Sequence, residues 1–237
     1  MLRAIGFSDI PLKPLGSASH VIDVAEYIIA NNISNNLVII DRDFPGCKKW
    51  IADRRVLYSF GYSWENDVVG PKVVAEAIVN LLHLDPAGTS VLENEFSDLL
   101  QRMIKISRWS ILLQLMTQNP SCDFAPTDHS FGGCICGDAI TVRFDSKPLY
   151  DRIQRNKSRF TRSGTRRSTR ESARYIPGHA LIGLGYAFIV TKAAVRPAYR
   201  PNRTSFSAML LHVFSASPRT YLPRATIEYY RAWARSI

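Results

Sequence analysis

The sequence predicts an α/β protein in which a parallel sheet flanked by helices is followed by a mainly helical C-terminal part. Residues 37–40, Leu-Val-Ile-Ile, form the kind of aliphatic run that is typical of a central parallel strand buried on both faces. A helical pattern at 20–32 precedes this run, and a second strand-like run follows at 56–60. The order helix, strand, loop, strand, helix is that of a parallel α/β unit.

The first helix is expected to be capped by Ser17 or Ser19 and to end at the Asn pair 31–32. Further predicted elements are a helix at 71–82, a long helix at 90–118, a glycine-rich loop after Pro120 that extends through residue 137, a strand or extended segment at 140–144, and helices at 148–158, 177–194, 204–214 and 224–236. We predict an α/β domain at 1–83 and a helical region at 84–237. That second region contains a basic, flexible loop at 155–174, because this segment has too little apolar surface to order itself.

The composition limits the class of protein. A chain of 237 residues with 46% hydrophobic content can bury one sizeable core or two small ones. No run approaches eighteen uninterrupted apolar residues, and four cysteines in this length do not suggest a disulfide scaffold. We therefore expect a cytoplasmic protein that does not associate with a membrane.

Charge is distributed unevenly along the chain. Residues 151–237 carry 17 Lys and Arg against 3 Asp and Glu, a net charge of +14, whereas the first 150 residues have a net charge of −4. A basic half beside a slightly acidic half favours contact with a polyanion, most often nucleic acid.

Two carboxylates follow the first predicted strand. Because strand side chains repeat every two residues, Asp41 and Asp43 are expected to point the same way at the carboxyl edge of the sheet, where ligands bind in open α/β folds. Two such carboxylates repel each other unless a positive group lies between them, and Mg²⁺ (or Mn²⁺) fits this role. Two alternatives remain open: Asp is common in the turns that follow strands, and Arg42 is available to pair with one of them.

Glu65 follows the second strand and is expected at the same sheet edge. It is a candidate third metal ligand and a candidate catalytic acid or base. The alternative is a residue at the start of a helix, where negative charge is favourable, with Ser63 as the cap.

The segment 152–174 holds nine cations and a single acidic residue, Glu171. The candidate nucleic-acid-binding residues are Arg152, Arg155, Lys157, Arg159, Arg162, Arg166, Arg167, Arg170 and Arg174. Cations of this density bind phosphates strongly and without sequence preference, and Phe160 and Tyr175 are available to stack on bases. The alternative is a solvated basic loop without a partner.

Two further patterns carry weaker predictions. Cys122, His129, Cys134 and Cys136 suggest zinc, but the C-x-C spacing is tight and a second pair is missing, so an ordinary glycine-rich loop is the favoured interpretation. His179 precedes a predicted helix and is more often a cap or packing residue than a catalyst.

Three motifs together resemble a known family. Ile-Ile-Asp-Arg-Asp-Phe at 39–44, Tyr-Ser-Trp-Glu-Asn at 62–66 and Ile-Pro-Gly-His-Ala-Leu at 176–181 are similar to the bacterial Toprim-like proteins catalogued as domain of unknown function 4435. The resemblance covers residues 8–83, and more loosely 175–237. It implies a Toprim-like parallel sheet, Mg²⁺ held by Asp41 and Asp43, and an acidic position at Glu65.

The same resemblance implies a nuclease related to the overcoming-lysogenization-defect type, an ABC-type ATPase as partner and a role in defence against phage. Toprim proteins usually open with a strand that ends in a Glu motif, and Ile5-Gly6-Phe7 has the shape of that strand without the Glu. We therefore expect that the first strand is absent from this chain.

Three hypotheses follow from these patterns. The first is a metal-dependent phosphodiesterase acting on nucleic acid. The second is a non-catalytic module that binds nucleic acid or docks an ATPase through a degenerate Toprim-like site. A small-molecule α/β enzyme is the third, and the lack of a Gly-rich phosphate loop or a nucleophile elbow weakens it.

Overall fold

The computed structural model of the chain describes residues 11, 13–42, 50–117, 135–137, 142–144, 176, 178–194 and 201–237; for 105–117 and the segments 135–137 and 142–144 it describes the backbone alone. The helices in these ranges are α1 (Ala18–Ala30), α2 (Glu65–Val68), α3 (Pro71–Leu82), α4 (Thr89–Thr117), α5 (Gly178–Ala193), α6 (Arg203–Ala216), α7 (Pro218–Tyr221) and α8 (Arg224–Ala234). The strands are β1 (Val38–Ile40), β2 (Val56–Tyr58), β3 (Ile135–Gly137) and β4 (Val142–Phe144).

β1 and β2 pair in parallel, with Val38 opposite Val56 and Ile40 opposite Tyr58. The apolar face of α1 packs on this pair through Ala25 and other buried side chains. The predicted α/β class is thereby confirmed in a coarse form: a helix-rich chain with a small parallel sheet that helices flank.

The start of α1 follows from its cap. Ser17 Oγ accepts a hydrogen bond from the backbone N–H of His20 at 3.4 Å, so the helix begins two residues before the predicted start. Asn31 caps the other end, and Asn32 has φ +50°, a left-handed conformation that Asn tolerates better than most residues. The capping role predicted for Ser17 is confirmed.

A larger apolar cluster lies among α3, α4, α5 and α6. Its fully buried members include Ile78, Phe96, Leu184 and Phe206. The predicted boundary at residue 83 falls between α3 and α4, which pack against each other in this cluster. Gly185 lets α5 and α6 approach closely, because a Cβ atom there would lie 2.8 Å from Phe206 Cζ.

Three local predictions differ from the structure. β2 ends at Tyr58 rather than at residue 60, and residues 135–137 form β3, which pairs antiparallel with β4, where a loop was predicted. The short helix α7 was not predicted. The predicted helix 148–158 and loop 155–174 lie outside the described residues. None of the helices in the described ranges combines the length and apolar character that a bilayer crossing requires.

Candidate functional site

The carboxyl ends of β1 and β2 meet at one edge of the sheet. Arg42, two residues beyond β1, donates its backbone N–H to Ser59 Oγ at 2.9 Å, and Ser59 Oγ donates to the carbonyl of Gly61, also at 2.9 Å. Ser59 is buried, so these bonds are shielded from water. They join the two strand exits and fix the backbone that carries Asp41.

Asp41 contacts the turn that precedes α2. The backbone N–H of Trp64 donates to Asp41 Oδ1 at 3.1 Å, across 23 positions of sequence. This bond is consistent with the prediction that Asp41 and the segment around Glu65 lie at the same edge of the sheet. Asp43 lies outside the described residues.

Glu65 is the first residue of α2 and has one fully buried carboxylate oxygen. Its Oε2 atom has no hydrogen-bond partner among the described residues. A Cβ atom on Gly178, the first residue of α5, would lie 2.5 Å from this oxygen, so the carboxylate packs directly against the helix N-terminus.

Asn66 connects two motifs that are far apart in sequence. Its Oδ1 accepts from the N–H of Ser63 at 3.0 Å and from the hydroxyl of Ser63 at 3.3 Å. Its Nδ2 donates to the carbonyl of Ile176 at 3.0 Å. The Ser-Trp-Glu-Asn turn is therefore tied to the segment that enters α5. Of the alternative interpretation, the position of Glu65 at the start of a helix is confirmed, but Ser63 is not the cap: its side chain bonds to that of Asn66, and Trp64 occupies the cap position.

Comparison with protein-family models, with curated proteins and with solved structures found no match to the chain.

The guanidinium group of Arg42 contacts a backbone carbonyl and two aromatic rings. Arg42 Nε donates to the carbonyl of Ser59 at 2.8 Å. The group also lies 5.7 Å from the ring centroid of Trp50 and 5.2 Å from that of Tyr229 on α8, within the range of cation–π attraction. The alternative in which Arg42 pairs with one of the two aspartates stays a prediction.

Helix α8 contacts the same sheet edge through two adjacent tyrosines. Tyr230 donates its hydroxyl hydrogen to Asp67 and accepts the backbone N–H of Phe60 at 2.8 Å. Tyr229 donates to the carbonyl of Tyr58 at 2.9 Å. Residues that follow β2 are thus bonded to a helix about 170 residues further along the chain.

Burial raises the pKa of Asp67 from 3.8 to about 6, although the hydrogen bond from Tyr230 acts in the opposite direction. The pKa of Tyr230 is also raised, first by burial and then by the nearby Asp67 charge. Sequence reasoning misses this pair. Asp67 follows Glu65 and Asn66 and precedes two valines, and no sequence pattern links it to a tyrosine 163 residues away.

The remaining predicted site residues divide into two groups. The nine candidate nucleic-acid-binding cations at 152–174 lie outside the described residues, as do Cys122, His129 and Cys134. Cys136 lies in β3, where the backbone is described. His179 lies in the first turn of α5 with an exposed side chain, and its carbonyl accepts a hydrogen bond from Arg203 at 3.1 Å.

The described oxygen donors fit a hard divalent cation in their chemistry. Glu65 offers a buried carboxylate oxygen without a hydrogen-bond partner in the described part of the chain, and Asp41 contacts the residue next to it. Unpartnered carboxylate oxygens are the ligands that Mg²⁺ and Mn²⁺ prefer. Among the described residues no cluster of three or more His, Cys, Asp or Glu side chains is assembled; the third predicted ligand, Asp43, lies beyond them.

Proposed function

We propose that the chain is a Toprim-like protein that hydrolyses phosphodiester bonds in nucleic acid with the help of Mg²⁺ or Mn²⁺. The observation that supports this most directly is the buried Glu65 oxygen that lacks a hydrogen-bond partner in the described ranges, beside a turn that Asp41 binds. A buried carboxylate left without a partner is costly unless a cation or a proton meets it. Glu65 lies at the carboxyl edge of a parallel sheet, and α/β folds bind ligands at this edge.

In this proposal Asp41, Asp43 and Glu65 hold the ion. When bound, a divalent cation stabilises charge at a phosphate oxygen and lowers the pKa of water. The bond from Trp64 N–H orients the Asp41 carboxylate, and the contact with Gly178 orients that of Glu65. In the same proposal Glu65 also accepts a proton during attack on the phosphate, as the general base.

The basic half of the chain supplies the attraction for the substrate. Its net charge of +14 over residues 151–237 favours a polyanion, and the nine cations at 152–174 are the residues proposed to contact the phosphates. The resemblance of the three motifs to the family catalogued as domain of unknown function 4435 extends the proposal to an ABC-type ATPase partner and to phage defence.

A second function is favoured by a specific observation on Asp41. Its Oδ1 atom already accepts the backbone N–H of Trp64, as an Asp that only stabilises a turn would do. This supports a non-catalytic module that binds nucleic acid or docks an ATPase.

The experiment that separates the two is a cleavage assay. Labelled single- and double-stranded DNA and RNA are incubated with the protein and Mg²⁺ or Mn²⁺, with and without a chelator. We expect metal-dependent cleavage that falls at least about a hundredfold in Asp41→Asn and Glu65→Gln.

Asp98→Asn provides the matched control, because this carboxylate is exposed on α4. Its activity is expected to equal that of the wild type. If none of the proteins cleaves, but all retard nucleic acid in a salt-sensitive manner, the enzyme proposal fails and the binding module stands.

A further inference from the structure

Two exposed tryptophans contact the consecutive residues Asp41 and Arg42. Among the large hydrophobic side chains of the described residues, three exposed ones are aromatic: Tyr27 (63% exposed), Trp50 (57%) and Trp64 (39%). The backbone of Trp64 binds Asp41, and the ring of Trp50 contacts Arg42. Exposure of an indole leaves a large apolar face in water, and two such indoles beside consecutive residues of the chain indicate a surface that binds something flat or apolar.

The ring of Trp50 is held in a fixed orientation. It stacks on Tyr58, the last residue of β2, with ring centroids 3.8 Å apart and planes inclined by 14°. The Tyr58 hydroxyl accepts the backbone N–H of Ile51 at 2.9 Å, which fixes the chain next to Trp50. An aromatic ring that is both immobilised and exposed loses little conformational entropy when a ligand stacks on it.

The charges around the two rings indicate the class of ligand. The Arg42 guanidinium lies within about 6 Å of the ring centroids of both Trp50 and Tyr229, and its Nε donates to the carbonyl of Ser59. An aromatic face beside an arginine suits a base that is followed by a phosphate. The overall charge of +10 also favours an anionic ligand over an apolar peptide.

We infer that Trp50 and Trp64 form a stacking surface for the unpaired bases of a single-stranded nucleic acid, next to the candidate phosphodiesterase site. This inference rests on the proposed nucleic-acid substrate and adds to it that the strand is single. Bases in a duplex already stack on each other and cannot reach an indole face, whereas unpaired bases of any sequence can. The surface therefore selects for strand state and not for sequence.

Binding without catalysis tests the inference. The anisotropy of a labelled oligothymidylate is measured in chelator and compared with that of an abasic strand of equal length, which has the same phosphates and no bases. The wild-type protein is expected to bind the oligothymidylate more tightly. Trp50→Ala is expected to weaken its binding about 5- to 150-fold, and to leave binding of the abasic strand unchanged.

Further variants keep the test independent of folding defects. Trp64→Ala, which leaves the contact between Trp50 and Tyr58 intact, is expected to reduce the same preference. Trp50→Phe retains a ring for the contact with Tyr58 and is expected to give an intermediate affinity. Tyr27→Ala, an exposed aromatic residue of α1, is the matched control and is expected to bind both strands like the wild type.

The inference is overturned if the wild-type protein binds both strands equally, or if Trp50→Ala and Trp64→Ala keep its preference. Equal binding of the two strands that weakens with salt would refute the stacking surface but would still support the nucleic-acid function. Failure to bind either strand would refute both the stacking surface and the nucleic-acid function. Cleavage in Mg²⁺ by a protein without base preference would likewise overturn the stacking surface alone.

Discussion

Replacing Asp67 by Asn tests whether a buried carboxyl group makes the stability of the fold depend on pH. Asp67 is 7% exposed and accepts the hydroxyl hydrogen of Tyr230. Its folded pKa of about 6 lies above the ordinary value of 3.8, so the folded protein binds this proton more tightly than the unfolded chain. The resulting stabilisation is fully present below pH 3.8 and is lost as the pH rises to about 6.

The magnitude follows from the two pKa values. A rise from 3.8 to about 6 corresponds to about 3 kcal/mol of unfolding free energy, at 1.36 kcal/mol for each pH unit. An Asn side chain never ionises and still offers an oxygen to Tyr230, although the neutral hydrogen bond is weaker by about 1 kcal/mol. We therefore expect Asp67→Asn to be more stable than the wild type by about 1–3 kcal/mol at neutral pH.

Urea unfolding followed by circular dichroism measures the effect at a series of pH values. The difference in unfolding free energy between variant and wild type is expected to change by about 2–3 kcal/mol between about pH 4 and about pH 7.5. Subtracting the wild-type curve removes groups that titrate equally in both proteins, and Asp98→Asn controls for the altered net charge. A difference that stays constant within about 0.5 kcal/mol across this interval would refute the reasoning.

Two further predictions concern packing and hydrogen bonding. Gly178→Ala places a methyl group against the buried oxygens of Ser63 and Glu65, so it is expected to lower stability by about 1–3 kcal/mol and to reduce metal-dependent cleavage. Gly183→Ala is the control on the same helix, because its methyl group meets no atom within 4 Å. It is expected to raise the free energy of unfolding by about 0.4–1 kcal/mol in the same urea experiment. Equal effects at the two glycines would contradict the close contact of Gly178 with Ser63 and Glu65. Tyr221→Phe removes a hydroxyl that donates to the carboxylate of Glu76 on α3 at 2.6 Å. Burial, together with the Glu76 carboxylate, raises the pKa of this hydroxyl to about 12. It is expected to lower the urea-unfolding free energy by about 1 kcal/mol, and an unchanged midpoint would show that the bond contributes nothing.

The elements that the sequence predicts correctly are those whose signals are local. The cap at Ser17 and the proline at the start of α3 each determine a helix end from a few neighbouring residues. The aliphatic run of β1 predicts a buried strand without knowledge of its partners. The parallel pairing with β2 also follows from local patterns, because the segment between Ile40 and Val56 is long enough to bring the second strand back in the same direction.

The parts that sequence reasoning misses depend on contacts between distant segments. β3 consists of Ile-Cys-Gly, and its glycine-rich surroundings predict a loop; pairing with β4 overrides that local preference. The role of Asp67 depends on Tyr230, and the fixed position of Arg42 depends on Tyr229. Candidate site residues near strand ends can therefore be named from the sequence, whereas the side chains that orient and shield them cannot.

The bonds between α8 and the sheet also determine when the candidate site can be completed during synthesis. Phe60 emerges from the ribosome about 170 residues before Tyr230, its hydrogen-bond partner. At a translation rate of about 5–20 residues per second, the β1–β2 unit waits about 10–30 seconds for that helix. During this interval the polar groups of Phe60 and Asp67 have to be satisfied by water. The nascent chain consequently carries Asp41 and Glu65 for a substantial time before the helix that supports their sheet edge exists.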